Sequence, residues 1–254
     1  MKVRLAILFV IFLWPNPQAL RCASHNHCRK SKLFTTHGVI AWSAPPATKV
    51  FFYKSGLAID ADGALRAYHP RDRLGLDSLA HAGHKGNWWA IVTDNGRPNG
   101  LPIVQGKSDP APGYYISTTA LYDPGNPNPQ DPRRYVDAAK IPYVVLHPNA
   151  LKYARLGDFA TVVNLRNGKL SAAIVADESA PDLPVGEGSI ALAKVLGIDR
   201  DPRRGGQDAD VAYVIYPGSG NGKPRVSEEI SGTSKQLFDN WGGLSKLKAC
   251  VADD

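Results

Sequence analysis

Several things are scarce in this chain, and each scarcity removes a class of function. There are three cysteines in 254 residues, Cys22, Cys28 and Cys250, and none lies in the middle of the sequence, which argues against thiol catalysis. Basic residues are not clustered. Apart from the broken group Arg29-Lys30-Ser31-Lys32, no Lys/Arg run exceeds two residues, so a net charge of +7 does not amount to a nucleic-acid footprint. No apolar stretch after residue 14 approaches the length of a membrane span. The chain also lacks a Gly-rich phosphate loop ending in Lys-Ser/Thr, a GxSxG nucleophile elbow and an HExxH pair.

What is present reads as one mainly β domain. The 24 glycines and 20 prolines are dispersed rather than clustered, and a single methionine accompanies many short Val/Ile/Tyr runs, a pattern of strands joined by turns. Residues 1–23 read as a secretory signal. Lys2 and Arg4 precede the apolar residues 5–14, and Pro15 and Pro17 break the run. The expectation is therefore a secreted protein, or a periplasmic one in a bacterium, with no stable membrane association once the signal is removed. A cut after Ala23 removes Cys22 and frees Cys28 to pair with Cys250; the alternative leaves Cys28 unpaired in an arm. Residues 24–48 read as that arm. His25, His27 and Cys28 lie too close together for a structural zinc site, and no metal is expected.

The folded domain is expected over 49–254. Strands are read at residues 50–53, 57–59, 64–68, 90–93, 114–119, 143–146, 159–163, 172–176 and 209–216. One helix opens at Ser189 and another runs from Ser227 to the stop at Gly242-Gly243. Asp60 and Asp62 have the spacing that opens a calcium loop, but the later ligands are missing, so Asp62 reads as a turn residue. Residues 121–134, rich in Pro, Asn and Asp, read as a surface loop without chemistry.

The stretch 171–197 stands out. An apolar strand delivers Asp177 and Glu178, a Pro-bearing loop follows, and Gly186-Glu187-Gly188 leads into a helix. Residues 171–193 hold four acids and no Lys or Arg, a reversal of sign in a basic protein. Carboxylates, tyrosines and tryptophans in an exported β protein suit glycoside hydrolysis, in which one carboxyl protonates the leaving oxygen and another activates water or attacks the sugar.

Several long segments resemble the fungal-type chitosanases of glycoside hydrolase family 75. They include FFYKSGLAIDADGALRAYHP, GLDSLAHAGHKGNWWAIVTDNG, DPAPGYYISTTAL, AIVADESAPDLPVGEGSIALAKVLGI, VAYVIYPGSG and LFDNWGG. The resemblance implies a double-psi β-barrel and an endo-acting, inverting enzyme that cleaves β-1,4 links in partly deacetylated chitosan or glucosamine oligosaccharides. It implies no cofactor, and the expected state is a monomer. It places the two essential carboxylates at Asp177 and Glu187, with Glu187 as acid and Asp177 as base by analogy with related barrels. The field of the adjoining helix N-terminus lowers a carboxyl pKa, so burial or a neighbouring carboxylate has to outweigh it at Glu187. Asp60, Tyr68, Asp77, Asn87, Trp88 and Asp158 are the expected sugar contacts, and the Asp residues would line an acidic cleft for a polycation. The alternatives are a related hydrolase or lytic enzyme acting on chitin or peptidoglycan, and a non-catalytic carbohydrate-binding or cell-wall protein.

Overall fold

The computed structural model describes residues 28–47 and 49–252. The expected signal segment, with His25 and His27, lies outside the described residues. Ten strands form: β1 (Ser31–Thr36), β2 (Val39–Ser43), β3 (Phe51–Asp60), β4 (Gly83–His84), β5 (Asn87–Trp88), β6 (Tyr143–Leu146), β7 (Phe159–Asn164), β8 (Leu170–Glu178), β9 (Glu187–Ser189) and β10 (Gln207–Tyr216). Six of them, in the order β3-β10-β7-β8-β6-β9, close on themselves through a parallel β3–β9 pairing. The result is the expected mainly β single domain, built on a closed six-stranded barrel that leaves its strands no free edge to aggregate. The β6–β8 pairing is also parallel, whereas β10–β3, β10–β7, β7–β8 and β6–β9 are antiparallel.

The barrel strands read as near-continuous apolar runs because their residues are buried. Every residue of β6 and β7 is buried. Tyr53 and Tyr213 stack with centroids 4.7 Å apart across the β3–β10 pairing. Four helices follow the strands in part: α1 (Pro148–Leu151), α2 (Ile190–Leu196), α3 (Ser227–Trp241) and α4 (Gly243–Val251). The small side chains of β8 let α3 approach closely: buried Ser234 reaches the carbonyl of Ala173 at 3.4 Å. At the end of α3, Trp241 packs on Phe52 of β3, centroids 5.6 Å apart.

Three expectations change. Residues 24–48 are not a loose arm over their described part: β1 and β2 make a hairpin that extends the sheet from β3. Its turn is His37-Gly38, both at positive φ, which is the backbone a tight two-residue hairpin needs. The strands expected at 50–53 and 57–59 are one strand, β3, continued through Gly56, where a Cβ would lie 2.6 Å from the carbonyl of Gln207. The stretches 64–68, 90–93 and 114–119 form turns and isolated bridges such as Ile91↔Ser117 and Val104↔Tyr115 instead of regular strands. The Gln105 amide satisfies some of the carbonyls left without a ladder, donating to Leu65 and Tyr115. A disulfide joins Cys28 to Cys250, tying the start of the hairpin to α4 across a separation of 222 residues.

Candidate active site

Two strand pairings bring the principal acids together. Val145 of β6 pairs with Asp177 of β8 on one side and with Glu187 of β9 on the other. Adjacent strands lie about 4.8 Å apart, so the two α-carbons are separated by roughly 9–10 Å, with Val145 between them. The glycines flanking Glu187 are what permits this. At Gly188 a Cβ would sit 2.5 Å from a Leu192 methyl and 2.8 Å from the Tyr143 carbonyl. Gly186 has φ +109 and crowds the Gly56 carbonyl. After β9, Ser189 caps α2 by accepting the Leu192 amide at 3.1 Å, and Gly197 at φ 66 ends the helix.

The loop between the two acids is pinned from outside. Its Pro181 carbonyl accepts hydrogen bonds from Nε2 of His37, 2.9 Å, and of His147, 3.1 Å, while Ser55 Oγ donates to the Val185 carbonyl. His147 Nδ1 accepts the Asn149 amide, so Nε2 is the nitrogen left to donate. The hairpin turn and the start of α1 therefore hold a segment whose two ends carry Asp177 and Glu187.

Two more carboxyls converge here. Asp60, Asp62 and Asp177 each present an oxygen within 4.8 Å of the others. Asp60 accepts the Asp62 amide at 2.7 Å and the Tyr143 hydroxyl at 2.9 Å. Asp62 accepts the Tyr68 hydroxyl at 2.6 Å. Asp177 accepts two backbone amides, from Glu178 at 2.9 Å and Ala120 at 3.1 Å. This spacing would also suit a cation, although tyrosine hydroxyls and main-chain amides already engage the three carboxylates.

Burial governs the proton affinities. It pushes Glu187 up to about 8, helped by the charges of Asp60, Asp177 and Asp77. Asp60 is raised to about 6, again chiefly by burial, with the Asp62 amide and Tyr143 hydroxyl pulling the other way. Burial and neighbouring carboxylates raise Asp62 and Asp177 well above the ordinary range. Three carboxyls this close cannot all ionise, so the group retains protons at neutral pH. Two half-buried carboxyls on either side of a strand, one accepting two hydrogen bonds to its anion and one accepting none among the described residues, are equipped to take up one proton and release another.

Residues 114–241 match the sequence model of a family described as fungal chitosanase of glycosyl hydrolase group 75. The chain belongs to this family. It is therefore a glycoside hydrolase of the chitosanase type; no curated protein matches it. The matched span contains Asp177 and Glu187, whereas Asp60, Asp62, Asp77 and the paired tryptophans precede it.

The other anticipated sugar contacts are distributed unevenly within this chitosanase. Asp77 is 3% exposed, hydrogen-bonds to His81 Nδ1 at 2.9 Å, and its charge acts on both Asp60 and Glu187. Tyr68 is buried and spends its hydroxyl on Asp62, so it supports the site from behind. Asn87 is exposed on β5, and Trp88 is half-buried against Tyr115. Asp158 is fully buried, its carboxylate accepting the amides of Arg155, Gly218 and Gly220. That leaves it no face for a ligand. Glu178 is exposed and contributes its amide to Asp177.

Sequence reasoning missed Asp62, Tyr143 and His81. For Asp62 a signal was available: the Asp60-Ala61-Asp62-Gly63 turn at the end of β3 folds back on Asp60, whose carboxylate accepts the Asp62 amide, and this keeps the two acids together.

Proposed function

We propose that this protein is an exported endo-chitosanase that hydrolyses β-1,4 links of partly deacetylated chitosan with inversion. The observation that carries the reading is the shared register of Asp177 and Glu187 on Val145. An inverting pair needs roughly 6.5–9.5 Å between carboxyls to admit a water, and a separation of two strands supplies that room. Retaining enzymes hold their carboxyls at only about 5 Å.

Burial raises both carboxyls, so the roles are assigned from which of them is hydrogen-bonded as an anion. Glu187, raised to about 8 and without a hydrogen bond to its anion among the described residues, is the general acid that protonates the glycosidic oxygen. Burial here outweighs the field of the helix that begins at Ile190. Asp177, with two backbone amides on its carboxylate, is the general base that takes a proton from the attacking water. Water adds to the anomeric carbon from the face opposite the departing oxygen. The leaving sugar departs with the proton from Glu187, and Asp177 holds the proton from water, so the pair resets by exchange with solvent. Asp60 and Asp62, held by Tyr143 and Tyr68, keep the site acidic. An excess of carboxyls at the cleft also suits a substrate whose amino groups are protonated. The Cys28–Cys250 bridge and the signal-like residues 1–23 support export.

The test is release of reducing ends from chitosan, chitin and peptidoglycan by the mature protein and its Glu187→Gln variant. Activity on chitosan that is absent from the variant supports the reading. Turnover confined to chitin or peptidoglycan replaces the substrate, and chitosan binding without turnover replaces the enzyme with a binding protein.

A further inference from the structure

Trp89 is an exposed indole that is nevertheless held still. Its side chain is 58% exposed, while Trp42 and Trp88 are half-buried and Trp241 is buried. Its Nε1–H donates to the carbonyl of His81 at 2.9 Å, and the ring of His84 meets it edge-on with centroids 6.3 Å apart. His81 is fixed in turn, its Nδ1 lying 2.9 and 3.0 Å from the two oxygens of buried Asp77. Asp77 also accepts the Ser78 amide at 2.6 Å.

Two separate connections link the segment that carries this indole to the acid site. One runs through His81 to Asp77, whose charge reaches Asp60 and Glu187. The other runs through the next residue: the Ala90 carbonyl accepts Ser117 Oγ at 3.1 Å, and that oxygen lies 3.4 Å from the Asp62 carboxylate. A remote surface tryptophan would have neither link.

We propose that Trp89 is a stacking platform for one glucosamine ring of the substrate beside the catalytic acids, with Asp77 and the His81 side chain as positioning residues that steady the backbone carbonyl to which the indole is bonded. The inference rests on the chitosanase reading above. The C–H face of a pyranose covers an aromatic face well, and an ammonium group near the ring edge gains a cation–π attraction. A ring already immobilised in the free enzyme loses little conformational freedom when sugar binds. Trp88 is half-buried and tilted against Tyr115, so it offers a smaller free surface than Trp89.

Steady-state kinetics on a fully deacetylated glucosamine hexamer test this with wild type, Trp89→Ala, Trp89→Phe and His81→Ala. An inactive wild type would overturn the chitosanase reading itself; the variants then decide the platform separately. For Trp89→Ala we expect KM to rise about tenfold, with kcat falling by a smaller factor, and Trp89→Phe should recover most of the loss. His81→Ala keeps the carbonyl that accepts the indole N–H but removes its side-chain tie to Asp77, and by loosening that backbone it should raise KM by roughly two- to fivefold. In the Glu187→Gln background, hexamer binding should change tryptophan fluorescence, and adding Trp89→Phe should remove most of that change. A Trp89→Ala enzyme that melts like wild type and keeps its KM overturns the assignment, as does a full fluorescence response without Trp89.

Discussion

Four carboxyls that share their charges must divide their protons through the groups that touch each of them. Burial raises all of them, but Asp177 and Asp60 accept hydrogen bonds from amides and a tyrosine that favour the anion, whereas Glu187 has none among the described residues. Two predictions belong at this scale. Replacing Glu187 by Gln or Asp177 by Asn should lower kcat on chitosan by about 10²–10⁴-fold while leaving affinity for oligosaccharide within a few-fold, as measured by calorimetry. The folded state also holds Glu187's proton more tightly than the unfolded chain, from the ordinary 4.5 up to about 8. Its contribution to stability is therefore complete below about 4.5 and lost as the pH rises through 8. Glu187→Gln should melt like wild type at pH 4 and above it at pH 8.5. The gain should be on the order of 1–2 kcal/mol, less than the full shift because the side chain still meets solvent. Equal melting temperatures at pH 8.5 would show that Glu187 is not held protonated by burial. Alkaline loss of kcat should follow the same group, near pH 8.

At the scale of elements, the glycine-flanked strand β9 does the positioning. It pairs with β3 in parallel and β6 antiparallel, closing the barrel and setting Glu187 opposite Val145. Gly188→Ala should cost on the order of 2 kcal/mol or more in urea unfolding, since its methyl group would meet Leu192 and the Tyr143 carbonyl. Activity should fall further than stability, because β9 must shift. The strands β6, β7, β8 and β10, the cap at Ser189 and the end of α3 at Gly242 were legible in the sequence, since apolar period and capping chemistry are local signals. The hairpin β1–β2 was not, because its polar sequence Ser31-Lys32 and His37-Gly38 turn resemble a linker until Cys28 and β3 hold it in place. Residues 90–93 and 114–119 failed the other way: they carry strand composition but meet only in isolated bridges.

At the scale of the molecule, the barrel gathers a site from residues far apart in the chain. Asp60, Asp62, Asp177 and Glu187 come from three barrel strands and one turn, and Ser117 ties the Ala90 carbonyl, next to Trp89, to Asp62. The family resemblance made Asp177 and Glu187 readable. Which other acids join them depends on barrel closure, which no local pattern encodes. Asp158, in the same strand-rich setting, is consumed by three backbone amides. Closure of the 222-residue separation by Cys28–Cys250 is a global restraint as well. Replacing both cysteines with Ser should lower stability by about 2–5 kcal/mol in urea and leave kcat on chitosan nearly unchanged, because the bridge constrains the unfolded chain rather than the acids. None of the described helices is long and apolar enough to cross a membrane. The central claim, that Asp177 and Glu187 work across a water from either side of Val145, is tested most directly by proton NMR of early hydrolysis products from chitosan. The account predicts that the α-anomer appears first and mutarotates towards the β form, whereas initial release of the β-anomer would mean retention and would contradict the account.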